Sequence, residues 1–272
     1  MVFIKRLIFW LLLPALLVSA ALVFFPGGFE LSSLEFADKK VRIPKVSVAW
    51  NFKDLRSPRI TLEAPKVHLP ASEAAMVSVV FKKDYNTLSI ASLGSKKAAL
   101  EDVRATFTWH GSRLEFDRIR SRFAGQELLG TATVWLGREP RYRLSLSGGS
   151  LPGQAVVDAF EWQKKLAVAG VFTGRLEMEG SGGTLSRLEG SFDAAPEGGT
   201  ITILDQEMLQ RVADSSHQPL SIVRASFENY HYNTGKARFH LDRSDLRLEM
   251  ALEGEAGKRQ LEVNLHDLFP QT

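Results

Sequence analysis

The chain reads as mainly β: an N-terminal transmembrane helix followed by an antiparallel sheet with one or two short helices. Three observations predict this. Leu7 to Phe25 runs for nineteen residues without a charge. From Val41 onward apolar residues recur at every second position, the period of a strand with two unlike faces. Gly-containing turn signals, among them Gly94-Ser95, Ser147-Gly148-Gly149, Gly198-Gly199 and Gly254 to Gly257, then recur along the chain, as in a meander.

The N-terminal run, LIFWLLLPALLVSAALVFF, is long enough to cross a hydrocarbon core, which takes roughly 20 apolar helical residues. Pro14 is tolerated in such a helix. The flanking cations, Lys5 and Arg6, precede the run, so the positive-inside rule places the N-terminus in the cytoplasm and the remainder across the membrane. Val18-Ser19-Ala20 would also serve as a signal-peptide cleavage site, but cleavage there would leave Ala21 to Phe25 as an apolar start. An uncleaved anchor is the reading adopted, with residues 1–28 as the anchor and 29–272 as a single β domain.

In the β domain, Val46, Val48 and Trp50, then Ile60 and Leu62, then Val103, Ala105, Phe107 and Trp109 alternate with polar neighbours. Pro44 interrupts the first of these strands. His110-Gly111 reads as a tight turn into Leu114 and Phe116. The clearest alternation is C-terminal. Phe239 and Leu241, then Leu246, Leu248, Met250 and Leu252, then Leu261, Val263 and Leu265 oppose charged or amide neighbours. One apolar and one charged face is the mark of an antiparallel sheet with a solvated side. Two stretches have helical spacing: Pro152 to Leu166, with Val156, Ala159 and Phe160, and Asp205 to Ala213, with an Asp cap and Met208, Leu209 and Val212 on one face. Both are expected to plug an end of the sheet or cover part of its apolar face.

Composition narrows the function. Without Lys5 and Arg6, 32 of the 34 basic residues face 31 acidic ones, so a dedicated nucleic-acid binder, with its basic excess, is not expected. The chain has no cysteine, which removes disulfides, thiolate metal sites and cysteine nucleophiles. The six histidines, His68, His110, His217, His231, His240 and His266, lack metal-ligand spacing, although His231 and His240 fall in neighbouring predicted strands. No serine occupies a nucleophile elbow, and Gly180 to Gly183 lacks the Lys-Ser/Thr of a phosphate loop. No catalytic residue, metal or cofactor is expected. Arg118, Arg120 and Arg122 share one strand face and Arg141 and Arg143 another; they read as a solvated face beside Glu115 and Asp117. Phe227, Tyr230 and Tyr232 read as sheet packing.

Four segments resemble one known family. LEDVRATFTWHGSRLEFDRIRSRFAGQELLGTATVWL (100–136) pairs a hairpin with a G-x-A-x-V strand, and YRLSLSGGSLPGQAVVDAF (142–160) is a strand-then-helix step. GRLEMEGSGGTLSRLEGSFDAAPEGGTITI (174–203) carries repeated Leu-x-G and G-G-x-I strands, and FENYHYNTGKARFHLDRSDLRLEMALEGEAGKRQLEVNLHDLF (227–269) is C-terminal in character. Together they resemble the AsmA-like superfamily, which includes the TamB- and YdbH-like envelope proteins. The resemblance lies in cadence rather than in invariant residues. It implies an inner-membrane protein whose elongated, curved antiparallel sheet projects into the periplasm as a groove for phospholipid acyl chains, serving outer-membrane biogenesis. Phe239, Leu241, Leu246, Leu248, Met250, Leu252, Leu261, Val263 and Leu265 are then the candidate lipid-groove residues. The expected partners are membrane phospholipid and other envelope proteins. The alternative is a non-enzymatic scaffold or assembly factor. The bridging members of the family are several times longer. Some fourteen strands at about 4.8 Å each would span only roughly 65 Å.

Overall fold

The computed structural model describes residues 27–36, 41–51, 58–69, 72–94, 99–137, 139–159, 161–181, 184–242 and 245–265. The apolar run 7–25 lies outside them. Among the described residues no helix is long and apolar enough to cross a membrane.

The strands are β1 (Gly27–Phe36), β2 (Val41–Asn51), β3 (Arg59–His68), β4 (Glu73–Lys82), β5 (Asn86–Gly94), β6 (Ala99–His110), β7 (Arg113–Phe123), β8 (Gln126–Trp135), β9 (Arg141–Pro152), β10 (Leu166–Ser181), β11 (Thr184–Ile203), β12 (Tyr230–Tyr232), β13 (Thr234–Asp242), β14 (Asp245–Gly254) and β15 (Gly257–Leu265). All belong to one curved antiparallel sheet. Each strand pairs with the next in sequence, except that β11 pairs with both β12 and β13. The expected meander is therefore present. β1, built on Phe29, Leu31 and Leu34, precedes the first strand read from the alternation, and begins at Gly27.

Ser33, Met76 and Asp102 take positive φ (58°, 51° and 47°), and the ladders of β1–β2, β3–β4 and β5–β6 lapse at them without a change of register. Register shifts fall between Glu101 and Arg104 and between Thr106 and Phe107 of β6, between Phe116 and Ile119 of β7, and along β10. Such a bulge adds one unpaired residue and bends the strand. Pro44 and Pro65 sit where the β2–β3 ladder lapses between Arg42↔His68 and Ser47↔Glu63. Lacking an N–H, proline is tolerated within a sheet at such a break.

Gly198-Gly199, expected as a turn, is instead a break inside the twenty-residue β11, opposite Gly170 of β10. The Tyr232 ring lies in this notch, and its hydroxyl donates to the Ala169 carbonyl at 2.9 Å. Ser147-Gly148-Gly149, also expected as a turn, lies within β9.

There are three described helices rather than one or two. α1 (Gly153–Ala159) is half the expected Pro152–Leu166. The chain leaves the helix at Glu161, which has φ 60°, so that Trp162 can enter the core and face the Phe239 ring at 6.1 Å. Its buried face is made by Val157 rather than Val156. α2 (Gln206–Ser216) begins at the expected cap, with Asp205 accepting from the N–H groups of Glu207 and Met208. It runs one turn past Ala213, to a left-handed His217. α3 (Leu220–Phe227) was not expected. Pro219 precedes it, no side chain caps it, and Val223 and Phe227 are its buried residues.

Candidate functional site: the apolar face of the sheet

One feature of the register dominates the molecule. Phe29 pairs with Val48, and the partners continue through Leu62, Val79, Leu88, Ala105, Ile119, Gly130, Leu146, Leu176, Gly190, Phe239, Leu248 and Val263. This apolar row crosses the whole sheet without a polar residue. The equivalent row on the other face runs from Glu30 and Ser47 through Glu63, Arg104 and Arg120 to Arg238, Glu249 and Glu262, with Leu129 as its apolar member. Period-two alternation in every strand, held in register, produces both rows.

The two ends of the apolar face have different covers. Helix α1 packs on β9 and β10, and α2 and α3 pack on β11. Val157, Trp162, Met208, Leu209, Ala213, Val223 and Phe227 join the strand residues in one continuous core. The candidate residues Phe239, Leu241, Leu246, Leu248, Leu252 and Leu261 are all buried there, Leu246 to 1% and Phe239 to 8% exposure, and Met250 packs partly buried beside them. Val263 and Leu265 stand opposite Leu248 and Leu246 in the ladder. Seven of the nine sequence-predicted residues, Phe239 to Leu261, are thus brought together as the floor of the helix-covered end.

Glycines let that end close tightly. A Cβ on Gly174 would strike the Phe192 ring, and one on Gly153 would strike Val168 and Phe172. The aromatic rings lie down across these gaps, with Phe192 meeting Phe239 edge-on at 5.5 Å.

At the other end no helix among the described residues rests on the face. Phe29 is 49% exposed, Leu31 40%, Ile60 37% and Trp109 52%, while Val48, Leu62, Val79 and Leu88 are half-buried by their neighbours in the sheet. A smaller core of Ala74, Ile90, Val103, Ala105 and Ile119 spans β4 to β7. These N-terminal positions were missed as site residues. Their alternation is as regular as that of the last three strands, but periodicity reports which face is apolar, not what covers it.

The outer face is a lattice of exposed cross-strand ion pairs, among them Lys45–Glu30, Lys66–Glu73, Arg143–Glu179, Arg247–Glu262 and Lys258–Glu253. Lys45 and Lys66 hold the Glu30 and Glu73 carboxyls below the usual range, through hydrogen bonding and charge. Arg122 pairs with Asp102, as a solvated strand face predicts. His231 and His240 are not adjacent: they lie opposite Thr200 and Glu189, at opposite ends of β11. No cluster of metal-ligating side chains occurs among the described residues. Phe227, Tyr230 and Tyr232 are all core, the first on α3 and the others on β12. Comparison with protein-family models, curated proteins and solved structures gives no match.

Proposed function

We propose that this chain is a membrane-anchored, non-enzymatic module that binds phospholipid, and passes it on, in cell-envelope biogenesis. The acyl chains lie along the uncovered apolar face of β1–β7. The observation that carries this reading is the unbroken apolar row together with its one-sided cover. A face that is apolar over half a sheet, and on which no helix among the described residues packs, is the usual mark of a binding surface rather than a core. An acyl chain needs a continuous apolar track and little else, and the Phe29–Val48–Leu62–Val79–Leu88 row supplies one. The helix-covered floor, from Phe239 to Leu261, closes the far end. Apolar run 7–25 supports an anchor at the β1 end. The resemblance to the AsmA-like superfamily supports an inner-membrane attachment and a periplasmic setting, with the outer membrane as destination. Fourteen strands in the main path span roughly 65 Å at about 4.8 Å each, so one copy acts as a partial bridge or a shuttle.

The test is a photocrosslinking amino acid placed at Leu62, at Leu88 and, as control, at Leu248 in the full chain expressed in cells. Phospholipid adducts at Leu62 and Leu88, and none at Leu248, are expected. Protein adducts in place of lipid at Leu62 and Leu88 would replace this reading by the scaffold alternative.

A further inference from the structure

The strand tips at one side of the sheet form a chemically distinct rim. Its described part consists of the β2 and β3 ends at Asn51 and Arg59 and of the turns β4/β5, β6/β7 and β8/β9. Tyr85 (48% exposed), Trp109, Trp135 (37%) and Leu136 (41%) project from it. Trp109 belongs to the apolar face, opposite Leu114, and Trp135 to the outer face, opposite Arg113 and Arg141. Large amphipathic rings therefore stand on both sides of one thin lip. Cations accompany them. Lys82 lies 4.9 Å from the Tyr85 ring centroid, and exposed Arg59, Lys83 and Arg141 have no acidic partner among the described residues. Among the described residues of the rim Asp84 and Glu139 are the opposing acids, and Glu115 is engaged by Arg113. At the opposite tips, the described hairpins 123–126 and 254–257 expose no aromatic ring.

Within a folded interior, Trp and Tyr would be buried, and on an ordinary solvated tip they would be replaced by polar turn residues. Exposed Trp and Tyr interleaved with Lys and Arg are suited to one environment, the headgroup layer of a bilayer, where rings sit at the water boundary and cations meet phosphate.

The chain's own path brings a membrane to this rim. Gly27 pairs with Trp50, so β1 enters the sheet at the same row of tips. The uncharged run ends at Phe25, which leaves Pro26 alone between it and β1. Two residue steps reach at most about 7 Å.

We propose that this rim is a membrane-docking lip: the tips of β2 to β9 lie on an anionic phospholipid surface, and the sheet rests on its side beside its anchor instead of standing clear of it. The inference rests on reading residues 7–25 as the anchor. It adds to the lipid-binding reading that one long edge of the uncovered face meets the lipid source directly.

Because the chain has no cysteine, single labels are unique. The full chain is prepared as Leu136→Cys and, at the opposite tips, Glu255→Cys. Each carries an environment-sensitive nitrobenzoxadiazole dye and is reconstituted into phosphatidylcholine–phosphatidylglycerol vesicles. Tyr85→Cys replaces Leu136→Cys should the latter not fold by circular dichroism. A blue-shifted dye at 136, quenched several-fold more by nitroxide-bearing lipid than the dye at 255, is the expected result. Pure phosphatidylcholine, or the pair Lys83→Glu and Arg141→Glu, should reduce that difference. Chain that floats with the vesicles while the two dyes are quenched alike, or neither is, overturns the lip and leaves the anchor standing. Chain that fails to float overturns the anchor reading and the lip with it.

Discussion

Phe29 and Phe239 occupy one register row at opposite ends of the sheet, and the same truncation at each measures what covers the face. Phe239 is 8% exposed and packs against Phe192 and Trp162. Phe→Ala in such a site costs about 3–5 kcal/mol, since lost transfer energy and a cavity add. Phe29 is 49% exposed, with the Trp50 ring as its aromatic neighbour at 6.2 Å. Full burial of a phenylalanine is worth about 1.5–3 kcal/mol, half of which is about 1 kcal/mol, and a site open to solvent leaves no cavity. At about 2–4 °C per kcal/mol for a domain of this size, Phe29→Ala should lower Tm by about 2–4 °C and Phe239→Ala by about 6–20 °C. Circular dichroism melts of the full chain in one detergent read both. The lipid content of the same preparations gives the complementary signal, falling for Phe29→Ala and unchanged in folded Phe239→Ala. Equal losses of Tm would refute the division into an open and a closed end.

Three further outcomes follow from the closed end. Gly198 has φ 67°, and a Cβ there would overlap the Tyr232 carbonyl, so Gly198→Ala should cost at least about 2 kcal/mol, read from the urea midpoint. Asp205→Ala should cost about 1 kcal/mol by removing the acceptor for two N–H groups of α2, and Asp205→Asn should restore most of it. Tyr232→Phe removes the hydrogen bond to Ala169 and should cost about 1 kcal/mol at neutral pH. Burial pushes the Tyr232 phenol up to about 12, whereas an unfolded tyrosine titrates near 10. The neutral form is the one favoured by folding, so its contribution is whole below about pH 10 and is lost as the pH rises towards about 12. The advantage of wild type over Tyr232→Phe should shrink across that interval, as followed by urea midpoints at increasing pH.

The strand-rich architecture was legible because each strand declares its own faces. Leu246, Leu248 and Leu252 against Arg247, Glu249 and Glu253 can only be a half-solvated strand, and the register kept that assignment. The Asp205 cap was legible for the same local reason. What could not be read depends on contacts distant in sequence. α3 has Leu220, Val223 and Phe227 at helical spacing, but it is eight residues long, lacks a side-chain cap and contains two β-branched residues. It is fixed by the core it lands on more than by propensity. Gly148 and Gly198-Gly199 look like turns in isolation. They sit inside strands because Leu128 and Leu151 crowd the first and Tyr232 occupies the notch at the second. The candidate site suffered most from this limit. The alternation marked Phe239 to Leu265 and Ile60 to Leu62 alike as apolar. Only the landing of three short helices decides that the first group is floor and the second is surface.

That asymmetry has a consequence for how the sheet holds together. A lone antiparallel ribbon with one wet apolar face is weak, and it needs packing on that face for independent stability. Here the packing is concentrated at the end formed by β8 to β15 and the helices. Among the described residues β1 to β5 are held by their ladders, the small core of β4 to β7, a few ring contacts such as Phe29–Trp50 and Phe81–Phe107, and exposed ion pairs that are each worth little. The N-terminal strands should therefore open first, at free energies below that of the whole domain. If acyl chains occupy their face, they supply the missing cover and stabilise those strands selectively, because a ligand that binds only the folded state raises stability by mass action. Amide hydrogen exchange with and without phospholipid separates the possibilities. Slower exchange confined to β1–β5 on lipid addition supports the open face as the lipid site. Equal protection in β1–β5 and β13–β15, already complete without lipid, would mean that the N-terminal face is covered by something other than lipid.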